Sequence, residues 1–218
     1  MITLAERLHQ LEERIAGAAK AAGRERRDVT LVAVSKLQPV ALVKEAFALG
    51  VRDFGENYAQ ELVEKASGLG EAGARWHFIG RLQKNKINML KAHVSAWQTA
   101  DSAEAVAAIA ARVLPPPQIF LQVNIGREAQ KNGLDPDKVR ETVLALEGNS
   151  PVLGLMCIPP VGASEPCFEK MRLLADACAR ETGRAFALSM GMSDDFEQAI
   201  AHGATYVRIG TRLFGTRG

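Results

Sequence analysis

The sequence is poor in the features that mark several protein classes. Its three cysteines, Cys157, Cys167 and Cys178, are odd in number and form no C-x-x-C pair, so neither a disulfide framework nor a structural zinc site is indicated. A reducing compartment is expected. An excess of one charge is also lacking. The 218 residues carry 27 Lys plus Arg against 25 Asp plus Glu, a formal +2, far from the basic excess of a dedicated nucleic-acid binder. No apolar run is long enough to cross a bilayer, and Glu6, Arg7, Glu12, Glu13 and Arg14 interrupt the stretch where a signal peptide would carry its apolar core. The expected location is the cytoplasm. No composition break divides the chain, and its 47% apolar content suits one domain over residues 1–218 with one substantial core.

What is present is periodic. Leu4, Leu8, Leu11, Ile15 and Ala18 recur at spacings of four and three, which predicts an amphipathic helix over residues 1–22, closed by Gly23. The following "GRERRD", Gly23 to Asp28, reads as a solvated connector rather than a nucleic-acid patch. Short apolar runs then alternate with helical patterns. The strand candidates are "TLVAVS" from Thr30, "VRDFG" from Val51, "WHFIG" from Trp76, "AWQTA" from Ala96, "IFLQVNI" from Ile119, "VLGLMCI" from Val152, "FALSM" from Phe186 and "YVRIG" from Tyr206. Between them lie segments such as "PVALVKEAFALG", "SAEAVAAIAARVL", "DPDKVRETVLALEG" and "SDDFEQAIAHG", which start on Pro, Ser or Asp and mostly stop at Gly. "LPPPQ", Leu114 to Gln118, stops one helix and feeds the fifth strand. Eight strand–helix repeats predict an α/β fold, a single parallel (β/α)8 TIM barrel with an extra N-terminal helix; a doubly wound open sheet is the alternative.

In such a barrel, side chains at the C-terminal ends of strands converge on one mouth. The polar residues closing these runs are Ser35 and Lys36, Glu56 and Asn57, Gly80, Asn124, the prolines of "IPP", Ser189 and Ser193, and Arg208 to Thr211. Lys36 has two readings. It is either a strand-end lysine reaching for solvent, or a desolvated amine poised to attack an aldehyde. In "SMGMSDD", Ser193 stands where it would cap a helix whose N-terminus could hold phosphate, or simply cap it, with Asp194 and Asp195 complementing the dipole. In "VRIGTRLFG", Gly210 and Thr211 follow the eighth strand, where such barrels often bind phosphate, and Arg208 points away from the side shared by Val207 and Ile209. That arginine either pairs with a core carboxylate or faces the mouth. A lysine on strand one, opposite a phosphate cradle on strands seven and eight with an arginine between, suits pyridoxal phosphate.

The motifs "AVSK", "FGENYAQE", "WHFIGRLQKNK", "QVNI" followed by "KNG", "GLMCIP", "LSMGMSDDFEQAI" and "VRIGTRLFG" occur in order over nearly the whole chain. By these the sequence resembles the pyridoxal phosphate homeostasis protein family. The resemblance implies a barrel similar to the N-terminal domain of alanine racemase, with pyridoxal phosphate as an aldimine on Lys36. It further implies Arg208 at the pyridine nitrogen, Ser193, Gly210 and Thr211 on the phosphate, and Asn57 near the ring.

The expected function is cofactor storage or delivery in intracellular pyridoxal phosphate homeostasis, without catalytic turnover, to apo-enzymes as possible partners. A racemase needs a second acid–base group, and only Tyr58 and Tyr206 are tyrosines. The alternatives are a pyridoxal phosphate-dependent amino-acid racemase and a class I aldolase-like Schiff-base enzyme. No metal, membrane or nucleic-acid partner is indicated. The basic residues Arg81, Lys84, Lys86 and Lys91 read as a solvated helix face rather than an RNA or partner surface. A monomer is expected.

Overall fold

The first helix is set by its ends and its apolar stripe. The Thr3 hydroxyl accepts the Glu6 N–H at 3.2 Å while the Glu6 carboxylate accepts the Thr3 N–H at 2.7 Å, a capping box that starts α1 (Leu4–Ala21). Leu4, Leu8, Leu11 and Ile15 are buried, as their spacing predicts. The structure, a computed structural model, describes residues 2–70, 73–149 and 152–215. Met1, included in the predicted helix, lies outside them.

Among the described residues there are eight strands, one in each predicted run: β1 (Thr30–Val34), β2 (Asp53–Glu56), β3 (Arg75–Phe78), β4 (Val94–Ala100), β5 (Gln118–Val123), β6 (Gly154–Cys157), β7 (Ala187–Ser189) and β8 (Tyr206–Ile209). Each pairs in parallel with its sequence neighbours, and β1 also pairs with β8, with Val32 opposite both Asp53 and Arg208. The sheet therefore closes into the expected (β/α)8 barrel and not the open sheet. The second strand starts later than predicted because the Val51 N–H caps the preceding helix, donating to the Ala46 carbonyl at 3.1 Å. The outer layer holds α2 (Val40–Ala48), α3 (Ala59–Leu69), α4 (Ile87–Leu90), α5 (Ala103–Ala110), α6 (Val139–Leu146), α7 (Ser164–Thr182), α8 (Phe196–Ala201) and α9 (Thr211–Phe214).

One expectation needs correcting and another refining. The segment from Arg81 to Lys91 is not one helix face but a 3₁₀ turn over Lys84–Lys86 and the single turn α4, because only Ile87 and Leu90 supply an apolar anchor. The connector from Gly23 to Asp28 is solvated at Gly23, Glu25, Arg27 and Asp28, as expected, but it is also fastened at two arginines. Arg24 donates to the Ala204 carbonyl at 2.7 Å and Arg26 pairs with Glu12 at 2.6 Å, so both side chains are half-buried.

Strand alternation sorts the interior. Leu31, Phe54, Trp76, Trp97, Leu155 and Val207 point outward into the main core beneath the helices. The other parity faces the bore, where Ala96, Phe120 and Met156 form a small separate apolar cluster with Ala187 and Tyr206 against it. Branched aliphatics usually fill such bores. Here the same parity carries Asp53, His77, Gln98, Ser189 and Arg208, all buried.

The outer ring is short after β8, since α9 is a single turn. The N-terminal helix fills the gap: α1 packs across α8 and α9, Arg14 makes a bidentate pair with Glu197 at 2.8 Å, and Arg7 donates to the Leu213 carbonyl at 2.6 Å.

Asp53, near the lower end of the bore, carries a pH dependence. Burial raises its pKa, but the hydrogen bonds from His77 and Arg75 outweigh burial and hold the carboxyl below its ordinary value. A depressed folded-state pKa gives stability that is present above the unfolded value and lost as pH falls through the folded one. Stability is therefore expected to decline below about pH 4. Asp53→Asn should be less stable at neutral pH and show a flatter acid limb in urea unfolding; an unchanged acid limb would refute this assignment.

Candidate functional site

Lys36 shares the inward parity of Val32 and Val34 and lies half-buried at the upper mouth of the barrel. A buried ionic cluster clasps the backbone on both sides of it. The Lys65 ammonium on α3 donates to the Ser35 carbonyl at 2.7 Å, to Glu56 at 2.6 Å and to Glu61 at 2.9 Å. The Ser35 hydroxyl donates to Glu56 at 2.7 Å. On the other side, the Leu37 N–H donates to Glu61 at 2.9 Å. Leu37 has φ +60°, a conformation that favours glycine, and the Glu61 carboxylate holds it there. Burial raises the pKa of Glu56 against the lowering by Lys65 and Ser35. For the less buried Glu61 the balance reverses: burial raises it, but Lys65 and the Leu37 N–H hold it below the usual range.

Opposite Lys36 lie the seventh and eighth loops. Gly191 has φ +91°, and a Cβ there would lie 2.6 Å from the Ala199 Cβ, so the turn after β7 requires glycine. Ser193 is not the helix cap that the sequence suggested. Asp195 occupies the N-cap position of α8, and its carboxylate accepts the Met192 N–H at 2.7 Å and the Ser164 hydroxyl at 2.6 Å. A carboxylate there binds both donors, which leaves Ser193 in the turn at the cavity wall. The neighbouring acids do not line that cavity: Asp194 is exposed and pairs with Arg212 at 3.3 Å. Arg212 also donates to the Ser193 carbonyl, which ties the seventh loop to the eighth.

Arg208 is buried without an ion pair among the described residues. Its guanidinium donates to the Ser189 hydroxyl at 2.7 Å and to the Cys157 carbonyl at 2.8 Å. Burial pulls its pKa below the ordinary arginine value, although a guanidinium keeps its charge at neutral pH. Of the two sequence readings, no core carboxylate among the described residues pairs with Arg208, and its side chain lines the mouth.

These residues meet. Lys36, Asn57, Ser193, Arg208, Gly210 and Thr211 line one cavity of about 180 Å³. Its apolar wall, Val34, Ile79, Met156, Ile158 and Met192, was missed by the sequence reading, because apolar strand ends look like ordinary core. Ser189 ends its strand, as the sequence indicates, and lies beneath Arg208, a placement that depends on how β7 and β8 pair. Asn124 lines a different hollow and organises the fifth loop through the Glu128 carbonyl at 2.9 Å. The Asn57 side-chain oxygen is buried and has no hydrogen-bond partner among the described residues. The three cysteines are buried and unpaired, and burial pushes the Cys157 thiol up to about 12, so it is unreactive at neutral pH.

Fold and cavity together define a (β/α)8-barrel protein whose mouth combines a primary amine, a buried guanidinium and hydroxyl-bearing glycine turns. The family model "Alanine racemase, N-terminal domain" matches residues 7–218. A Pseudomonas aeruginosa pyridoxal phosphate homeostasis protein is 42% identical over 100% of this chain and 97% of that protein. The structure of Synechococcus elongatus PipY with PLP bound is 33% identical, covers 98% of this chain and 100% of PipY, and superposes with a TM-score of 0.85. Alanine racemase from Corynebacterium glutamicum shares the fold, with a TM-score of 0.65 at 17% identity over 94% of this chain and 60% of the racemase. The chain belongs to the pyridoxal phosphate homeostasis proteins, within the alanine racemase N-terminal-domain family.

Proposed function

We propose that this protein binds pyridoxal phosphate at Lys36 and buffers it or hands it on without catalytic turnover. The convergence of six chemically distinct residues on one small cavity carries this reading. The donor set fits the cofactor. Lys36 would anchor it, Ser193, Gly210 and Thr211 would hold its phosphate, and Arg208 would face its ring nitrogen. The unpartnered oxygen of Asn57 leaves an acceptor for a ligand donor. When bound, the cofactor supplies an aldehyde that combines reversibly with amines.

Storage is favoured over catalysis by what surrounds Lys36. Arg208 presents only donors, so a ring nitrogen opposite it stays an acceptor, and the protonated ring that best stabilises carbanions is withheld. A racemase needs two acid–base groups. Of the tyrosines, Tyr206 packs in the bore against Phe120 and His77, and Tyr58 is exposed at the start of α3; neither lines the cavity. No helix among the described residues is long and apolar enough to cross a membrane. We place the protein in the cytoplasm as a monomer that passes the cofactor to apo-enzymes.

The test is an absorption spectrum of protein charged with pyridoxal phosphate, before and after borohydride. Wild type should be coloured and become irreversibly labelled; Lys36→Ala should not be labelled. A wild type that cannot be charged refutes the reading. Lys36-dependent interconversion of single-enantiomer amino acids would instead establish the racemase.

A further inference from the structure

The polar residues of the bore form one continuous chain from the cavity to the far mouth of the barrel. Arg208 can only donate, so the Ser189 oxygen, 2.7 Å away, accepts. The Ser189 proton then goes to the Gln98 carbonyl oxygen at 2.6 Å. That fixes the Gln98 amide with its N–H toward His77 Nδ1 at 2.8 Å, so Nδ1 carries no proton and Nε2–H donates to Asp53 at 2.9 Å. Arg75 grips the same carboxylate from the other side, at 2.8 and 2.5 Å. From Arg208 through Ser189, Gln98 and His77 every donor points toward Asp53, where Arg75 donates from the opposite end. Flipping the Gln98 amide alone would set its carbonyl oxygen against the unprotonated His77 Nδ1, two acceptors in a buried setting, at a cost greater than that of an ordinary lost hydrogen bond.

We infer that Ser189, Gln98, His77 and Asp53 are positioning residues that orient the Arg208 guanidinium toward the ligand. Ser189 is held as an acceptor because its proton is committed to Gln98, and Gln98 is held in one amide orientation because His77 is anchored on Asp53. Two N–H groups of Arg208 are spent on Ser189 and Cys157, and this pins the plane of the guanidinium beside the cavity. The inference rests on the proposed role of Arg208 at the ring nitrogen. It adds four residues, none of which lines the cavity, from strands β2, β3, β4 and β7.

The test compares pyridoxal phosphate with its carbocyclic analogue, in which C–H replaces the ring nitrogen, by titrating each into the full chain. Gln98→Met and Ser189→Ala should each weaken pyridoxal phosphate about tenfold, leave the analogue within about twofold of wild type, and add little in an Arg208→Gln background. A loss equal for both ligands, full additivity with Arg208→Gln, or no loss overturns the inference. If Arg208→Gln itself treats the two ligands alike, the reading of Arg208 has failed and the inference falls with it. If Arg208→Gln discriminates and the other two variants do not, only the relay is overturned. Should Gln98→Met not fold, the smaller change Ser189→Ala carries the comparison. Nitrogen-15 NMR of wild type gives a second readout: His77 should be the Nε2–H tautomer, and a proton on Nδ1 overturns the inference.

Discussion

Lys65→Met should cost about 3–5 kcal/mol of stability at neutral pH, the range for removing one partner of a buried ion pair. The ammonium it removes serves Glu56, Glu61 and the Ser35 carbonyl together, and both Lys65 and Glu56 are buried. Methionine matches the stem but not the donors. Glu56 already has one buried oxygen without a partner among the described residues, and burial already pushes its pKa up, so the variant should relieve itself by binding a proton there. A carboxyl whose folded-state pKa is raised loses stability as pH climbs from its unfolded to its folded value, so the deficit of Lys65→Met should be smaller at about pH 5 than at about pH 8. Urea unfolding at the two pH values measures this, and a deficit independent of pH would show that Glu56 is not the group left exposed to the loss. Adding Glu56→Gln should recover part of the stability at neutral pH. The variant should also slow labelling at Lys36, because the backbone before it loses a tether.

Gly80→Ala should be the most damaging single methyl in the molecule's upper half. A Cβ at Gly80 would lie 1.8 Å from the Asn57 carbonyl oxygen and 2.6 Å from its carbon. These are backbone atoms that cannot rotate aside. The neighbouring bonds from the Ile79 N–H to Glu56 at 2.9 Å and from Thr99 to the Gly80 carbonyl at 2.6 Å leave the strand ends no slack. Relief requires the second and third loops to part, which moves Asn57 and Ile79 at the cavity. We expect a loss of about 3 kcal/mol in unfolding free energy, at the upper end for overpacking, and at least about tenfold weaker pyridoxal phosphate binding. Gly17→Ala is the control: in α1 nothing lies within 4 Å of the position its Cβ would take, and it should stabilise by about 0.5–1 kcal/mol. If Gly80→Ala is as stable as wild type, the strand ends are looser than their hydrogen bonds imply.

The barrel was legible because each strand is apolar, short and bounded by helix signals, and because α1 announces itself through its leucine spacing. The site was legible in part for the same geometric reason. Residues that end strands meet at one mouth, so Lys36, Asn57, Arg208 and Gly210 could be collected without knowing any distance. Ser193 was misread as a cap because serine, aspartate and aspartate in succession all make good caps, and the choice among them depends on Ser164, far away in sequence, which reinforces Asp195. The clasp around Lys36 was hidden because Lys65 looks like any helix lysine until α3 is laid against β1 and β2. The bore chain was hidden more deeply. Strands covered on both faces read as continuous apolar runs, which masks parity, yet His77 between Trp76 and Phe78, and Gln98 beside Trp97, mark the inward side once alternation is applied strictly.

The seam between α1 and the α8–α9 corner has a kinetic consequence. The apolar stripe of the first helix finds most of its cover on α8 and α9, about 180 residues later, where the Arg14–Glu197 pair also forms. During synthesis the amphipathic helix emerges long before α8 and α9, and the part of its stripe that they cover must wait. Such distant closure slows folding and leaves a sticky surface in the nascent chain. The last strand and the first helix are thus joined in one late event, and the eighth loop, held from outside by Arg7 at Leu213, takes its final shape only then. Ligand-binding competence should appear with the last step of folding and not before it.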